Sequence, residues 1–145
     1  MAAIPIVFRT ARELSRLLRA RKISAAELLD LCLDQYMKHN EKLNAVVVTD
    51  IDRARKFAAE SDKRLARGRA VGPFDGVPMT IKESFDWRGT PSTWGDTRLR
   101  DNIAGEDAVA VTRMAKAGAN VYGKTNVPLM LADWQSFNAI YGTTN

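Results

Sequence analysis

The chain has 145 residues, 46% of them hydrophobic and 27% charged, with a formal net charge of +5. That length suits one domain, and the composition is that of a globular chain able to bury a core, which excludes disorder. The single cysteine, Cys32, excludes an internal disulfide, and with the single histidine, His39, it leaves no His/Cys-rich metal cluster to build.

An unpaired cysteine among leucines at helical spacing reads as plain core and fits a reducing, cytoplasmic setting. His39 lies in the polar stretch Lys38-His39-Asn40-Glu41-Lys42 and reads as a solvated helix end. No apolar run approaches the roughly 18 residues that cross a membrane. The opening Ala2-Ala3-Ile4-Pro5-Ile6-Val7 is too short for a signal-peptide core and has no basic segment before it. Arg9, Arg12, Arg16 and Arg19 form a basic stripe opposite Leu14, Leu17 and Leu18. The stripe reads as the solvated face of an amphipathic helix; a mitochondrial presequence or a nucleic-acid surface is the competing reading, and no aromatic residues interleave to support the second.

In chain order, Thr10-Ala11-Arg12-Glu13 and Ser24-Ala25-Ala26-Glu27 both match the capping box and predict helices over about 11–20 and 25–38. Ala45-Val46-Val47-Val48-Thr49 predicts a buried strand. Ile51, Ala54, Ala58 and Leu65 recur at helical spacing and predict a third helix ending near Gly68. Gly72-Pro73-Phe74-Asp75-Gly76 is turn chemistry, and Val77 to Phe85 resumes strand composition with Lys82 in its middle. Gly89 to Gly95 reads as a loop. Asp107 then favours a helix N-terminus, with Ala108, Val111 and Ala115 on its apolar face up to Gly118, and Ala119-Asn120-Val121-Tyr122 predicts another strand. Alternating helix and strand predict an α/β chain. The stretch from Asn138 to Asn145 has no terminating helix or charged tail and reads as continued elsewhere.

Three groups of residues carry candidate chemistry. Gly118-Ala119-Asn120-Val121-Tyr122-Gly123-Lys124-Thr125 satisfies the P-loop pattern. A P-loop follows a strand and opens a helix, whereas here a helix precedes, so nucleotide binding stands as a minor alternative. Ser84, Ser92, Thr93 and Thr125 are hydroxyls near turns, but the chain has no Gly-x-Ser-x-Gly nucleophile elbow, and turn or capping duty is the simpler reading. Lys82 interrupts the apolar run Val77-Pro78-Met79-Thr80-Ile81. It is either an edge-strand lysine facing solvent or a functional amine. A lysine used as a general base near neutral pH asks its surroundings to disfavour the ammonium by roughly 3–5 kcal/mol.

The stretch Phe74-Asp75-Gly76-Val77-Pro78-Met79-Thr80-Ile81-Lys82-Glu83-Ser84-Phe85-Asp86 resembles the Gly-Val-Pro…Lys segment of the amidase-signature family. Gly89 to Gly95, Asp107-Ala108, Ala117-Gly118-Ala119, Gly123-Lys124-Thr125-Asn126 and Tyr141-Gly142-Thr143-Thr144-Asn145 are similar to that family's following blocks, in the same order. Before Phe74 the similarity is one of layout, including Leu43-Asn44-Ala45. The resemblance implies a mixed β-sheet flanked by helices, the N-terminal part of the amidase-signature fold. Residues 1–145 would form one incomplete domain, with 1–72 a helical region and first strand and 73–145 the start of the core.

It also implies amide hydrolysis through a Ser–cis-Ser–Lys triad and an acyl-enzyme. Lys82 would act through a bridging serine, and both serines would come from a Gly/Ser-rich segment downstream of Asn145. The 145 residues alone would then be inactive. Leu131, Ala132 and Asp133 would line the acyl pocket. No cofactor or metal is implied, and the expected partners are a small-molecule amide and the remainder of the amidase chain, with a homodimer possible when complete and neither nucleic acid nor membrane. Two departures stand out: Glu83 follows the lysine where the family commonly has Asp, and Val127-Pro128-Leu129-Met130 replaces the Met-Asp-Glu-Phe type usual in the glutamyl-tRNA amidotransferase member of the family. The second points to a general amidase or acylamidase. A non-catalytic interaction module is the alternative from another class.

Overall fold

The computed structural model describes residues 5–145, so residues 2–4 of the opening apolar segment lie outside it. Helices α1 (Ala11–Arg19) and α2 (Ala25–Leu43) both begin with the expected reciprocal caps. The Thr10 N–H donates to Glu13 and the Ser24 N–H to Glu27, each at 2.9 Å, while each hydroxyl accepts from the backbone N–H three residues on. Such caps satisfy donors that a helix start would leave free, at about 1 kcal/mol apiece. α2 runs on past residue 38 to Leu43 because Lys, His, Asn and Glu are compatible with helix even where apolar periodicity has stopped. It ends where Asn44 turns left-handed, at φ 51°. His39 is exposed in this final stretch, and Cys32 is half-buried on α2, its thiol pushed up by burial.

Strand β1 (Val46–Thr49) leads into α3 (Ile51–Ala66), capped by the Asp50 side chain, which accepts from the Arg53 N–H at 3.0 Å. After the turn come β2 (Pro78–Lys82), α4 (Val109–Lys116) and β3 (Asn120–Thr125). The order in the sheet is β1-β3-β2, with β3 antiparallel to β1 and parallel to β2. This is the mixed sheet flanked by helices that the family resemblance implies. Two short strands, β4 (Phe137–Asn138) and β5 (Gly142–Thr143), pair as an antiparallel hairpin in the segment that showed no regular pattern.

Helices cover both faces of the sheet. Leu14, Leu18, Leu28, Leu29, Ala54, Ala58 and Val77 form one buried cluster, with Tyr122 packed against it. Ile81, Trp87, Val111 and Val121 form a second. Consecutive strand residues point to opposite faces, so Val121 and Tyr122 show that the two clusters lie on opposite sides of β3. The first charge inside this fold is Asp75, which is buried and accepts from Arg64 at 2.7 and 3.1 Å, from the Ser61 hydroxyl at 2.6 Å and from the Val71 N–H at 3.0 Å. Gly118 makes the close approach to it: with φ +89°, a Cβ there would lie 2.6 Å from Asp75 Cα.

Two expectations change. Lys82 is the last residue of β2 rather than the middle of a longer strand, because the chain turns at once, with the Phe85 N–H bonded to the Lys82 carbonyl at 3.0 Å. Asp107 does not cap α4, whose N-cap is Ala108 with no side-chain bond; its carboxylate instead accepts from the Arg88 N–H at 2.7 Å and ties down the preceding loop.

Candidate active site

Lys82 stands at the carboxyl end of β2, paired in register with Thr125 of β3. Its neighbours Ile81 and Glu83 are buried, while Lys82 itself is exposed and forms no ion pair among the described residues. Among residues 5–145 β2 is an edge strand, so this part of the protein leaves the amine open to solvent.

Glu83 turns the other way and is fully buried. Its backbone N–H continues the sheet by bonding the Thr125 carbonyl at 2.9 Å. Its carboxylate accepts from the Thr93 N–H at 2.6 Å, the Trp94 N–H at 3.0 Å and the Tyr141 hydroxyl at 3.0 Å. One side chain thus joins the end of β2, the loop after Gly89 and the hairpin segment. Burial, the nearby Glu83 charge and the bond to it push the Tyr141 phenol up to about 12, against a lowering contribution from Thr93.

The backbone here is strained. Trp94, Met130 and Leu131 have φ of 55°, 48° and 61°, left-handed values that bulky residues rarely adopt. Each costs on the order of 1–3 kcal/mol and persists only where the surroundings hold it. The Met130 N–H bonds the Trp94 carbonyl at 2.7 Å, so the strained segments hold one another. Between them and the hairpin lies a cavity of about 640 Å³ lined by Gly95, Asp96, Leu129, Ala132, Asp133 and Phe137, among others. Of the three expected pocket residues, Ala132 and Asp133 line this cavity and Leu131 does not. Asp133 is exposed and accepts from the Trp134 N–H at 2.6 Å.

The other candidates resolve into structure. Gly118–Thr125 is a helix end followed by the central strand, with no helix opening after Lys124, so it lacks the phosphate cradle of a P-loop. Lys124 is fully buried and donates to the Pro91 carbonyl and to Ser92 Oγ. Thr93 Oγ1 accepts from the Gly95 N–H at 3.1 Å, and the Thr125 hydroxyl lies 3.4 Å from the Ile81 carbonyl. Among the described residues no group of three His, Cys, Asp or Glu stands together as a metal site, and no helix is long and apolar enough to cross a membrane.

The sequence reading missed the convergence on Glu83 and the part played by Asn126 and Asn138. Asn138 is buried and uses both ends: its amide donates to Asn126 Oδ1 and the Val127 carbonyl, and its oxygen accepts from the Ile140 and Tyr141 N–H groups. The available signal for these residues was polar or charged side chains set among apolar and turn residues.

The family model described as Amidase matches residues 27–145. The chain is 40% identical over 127 residues to an indoleacetamide hydrolase of Bradyrhizobium diazoefficiens, covering 88% of this chain and 24% of that protein. It is 31% identical over 148 residues to the fatty-acid amide hydrolase 2 of Homo sapiens, covering 97% of this chain and 28% of that one. A solved bacterial aryl acylamidase of the amidase-signature enzymes superposes with a TM-score of 0.88 at 30% identity, over 95% of this chain and 29% of its own. The chain thus spans 24–29% of the length of these relatives. With the family match over most of its residues and the same arrangement of helices and mixed sheet, this chain belongs to the amidase-signature family.

Proposed function

We propose that this chain is the lysine-bearing part of a hydrolase that cleaves amide bonds through a serine acyl-enzyme, with Lys82 as the base. The observation that carries this is the placement of Lys82: an open amine at the carboxyl end of a sheet strand, in the sequence block that resembles the family's lysine segment. The serines would come from a segment outside residues 1–145. Neutral Lys82 would accept, through a bridging serine, the proton of the nucleophilic serine as its oxygen bonds the amide carbon. The proton would then pass to the leaving nitrogen as the C–N bond breaks, and water would release the acid.

The remainder of the chain is the expected partner. Leu129, Met130, Trp134 and Phe137 are large apolar side chains left exposed, Trp134 fully, and they offer a surface on which later residues would pack. Leu131, Ala132 and Asp133 are then the nearest candidates for contacts to the acyl group. A general amidase acting on small-molecule amides, in the cytoplasm, fits Val127-Pro128-Leu129-Met130 and the single unpaired cysteine. In the complete protein, Lys82→Ala should lower kcat/KM by roughly 10²–10⁴-fold with the fold intact. Activity within a few-fold of the parent would remove Lys82 from the mechanism.

A further inference from the structure

Glu83 is buried directly beside the exposed Lys82, and its surroundings give it a task. Three donors converge on its carboxylate: the N–H groups of Thr93 and Trp94, one on each oxygen, and the Tyr141 hydroxyl. A carboxylate accepts at both oxygens and donates at neither, so it satisfies all three; an amide of the same size would set its NH₂ against the Trp94 N–H. The carboxylate makes no ion pair with Lys82 among the described residues, and the link that the contacts supply is geometric. The residue whose backbone fixes the end of β2 against Thr125 is thereby bolted to the strained Trp94 turn and to the hairpin.

We infer that Glu83 is a positioning residue: by holding the Thr93–Trp94 turn and Tyr141 against the end of β2, it sets where the Lys82 amine points. The inference rests on the reading of Lys82 as the base. A misplacement of about 1 Å at a reacting group can cost about 100-fold in rate, so loosening this bolt should be visible as slower activation of the nucleophile rather than only as lower stability.

The test uses the full-length protein and a fluorescent alkyl fluorophosphonate, which labels an activated serine without knowledge of the natural amide. The readout is the second-order rate constant of labelling, which does not change if a variant merely has fewer folded molecules. Glu83→Gln should lower that constant by about 10- to 100-fold, and Glu83→Asp, which keeps two accepting oxygens, should return it to within about 3-fold of the parent. A parental rate constant for Glu83→Gln, with only the labelled fraction reduced, overturns the inference, and so does an Asp variant as slow as the Gln one. Should Glu83→Gln not be recovered folded, Tyr141→Phe removes one of the three donors and is expected to slow labelling at least about 3-fold; a parental rate there overturns the inference. Lys82→Ala in the same assay keeps the two readings apart: fast labelling without Lys82 sinks the base assignment, whereas slow labelling without Lys82 beside parental labelling in Glu83→Gln sinks only the role of Glu83.

Discussion

Lys124 Nζ donates to Ser92 Oγ at 2.8 Å inside the protein, where both residues are almost completely removed from solvent. The contact ties the central strand β3 to the loop after Gly89. It is a lysine–serine pair built into the interior.

This pair makes stability depend on pH in a direction that can be worked out. Burial lowers Lys124 to about 8, with Glu83 and Asp86 acting weakly the other way. The unfolded chain keeps that proton until about pH 10.4. Between those values the unfolded state binds more protons than the folded state, so the residue's contribution to stability rises with pH across that window and is flat below it. Urea unfolding of the complete protein from pH 7 to 10 should show the parent gaining on the order of 2–3 kcal/mol relative to Lys124→Met. A difference between the two proteins that stays constant with pH would show that the ammonium is not destabilised by burial.

Asp75 works with the opposite sign. Burial alone would raise its carboxyl, but bonds from Arg64, Ser61 and the Val71 N–H outweigh that and leave it below the usual value. A lowered folded value means that its contribution is fully present above the unfolded value near 3.9 and is lost as pH falls through the folded one. Because the pair is buried on the Asp75 side, Asp75→Asn should cost about 2–3 kcal/mol at pH 7 and much less near pH 2. Equal costs at the two pH values would mean that the loss came from packing and not from charge.

The starts of α1 and α2 were legible because hydroxyl–carboxylate spacing at Thr10 and Ser24 is a local rule, and the family was legible from blocks in fixed order, which carried the mixed sheet with it; the start of α4, read from the charge of Asp107, was not. Elements set by long-range contacts were not legible either. The end of α2 depends on the left-handed Asn44, whose side chain donates to the Tyr141 and Thr143 carbonyls some hundred residues away. The polar end of β3, Gly123-Lys124-Thr125, lies past the apolar run Ala119 to Tyr122 that marked the strand, and its charge is met by partners on a distant loop. Lys82 stands out in the sequence as a charge after an apolar run, yet its position at the end of β2, exposed, depends on where the turn begins. Glu83 gave no sign of its contacts, since the three donors it gathers come from residues 93, 94 and 141.

The glycine pattern separates backbone conformation from crowding. Gly118 and Gly89 both have positive φ, at +89° and +83°. A Cβ at Gly89 meets nothing within 4 Å, whereas one at Gly118 would collide with the Asp75 backbone. Gly89→Ala should therefore cost about 1–2 kcal/mol, the strain of a left-handed alanine alone. Gly118→Ala should cost clearly more, about 3 kcal/mol or above, because backbone has to move. Paired urea titrations measure the difference, and equal costs would mean that the α4–β3 turn has room to yield.

Asn138 offers the sharpest test of how the hairpin is held. Its four hydrogen bonds are all within the protein and the side chain is buried. Asn138→Ala removes them together and strands the Ile140 and Tyr141 N–H groups, along with the Val127 carbonyl. An unsatisfied buried group costs about 1–3 kcal/mol, so a total loss of roughly 3 kcal/mol is expected after partial rescue by water. Asn138→Asp keeps the acceptor for the two N–H groups but turns the donor end into a second oxygen facing Asn126 Oδ1. At neutral pH that places a buried charge against a carbonyl dipole, so Asp should be no better than Ala there and should recover as acid protonates it. Hydrogen exchange at the Tyr141 amide gives the local readout: faster exchange in Asn138→Ala than in the parent, with β3 amides unchanged, would show that Asn138 anchors the hairpin. Uniform acceleration across the sheet would instead mean that its loss unfolds the whole domain.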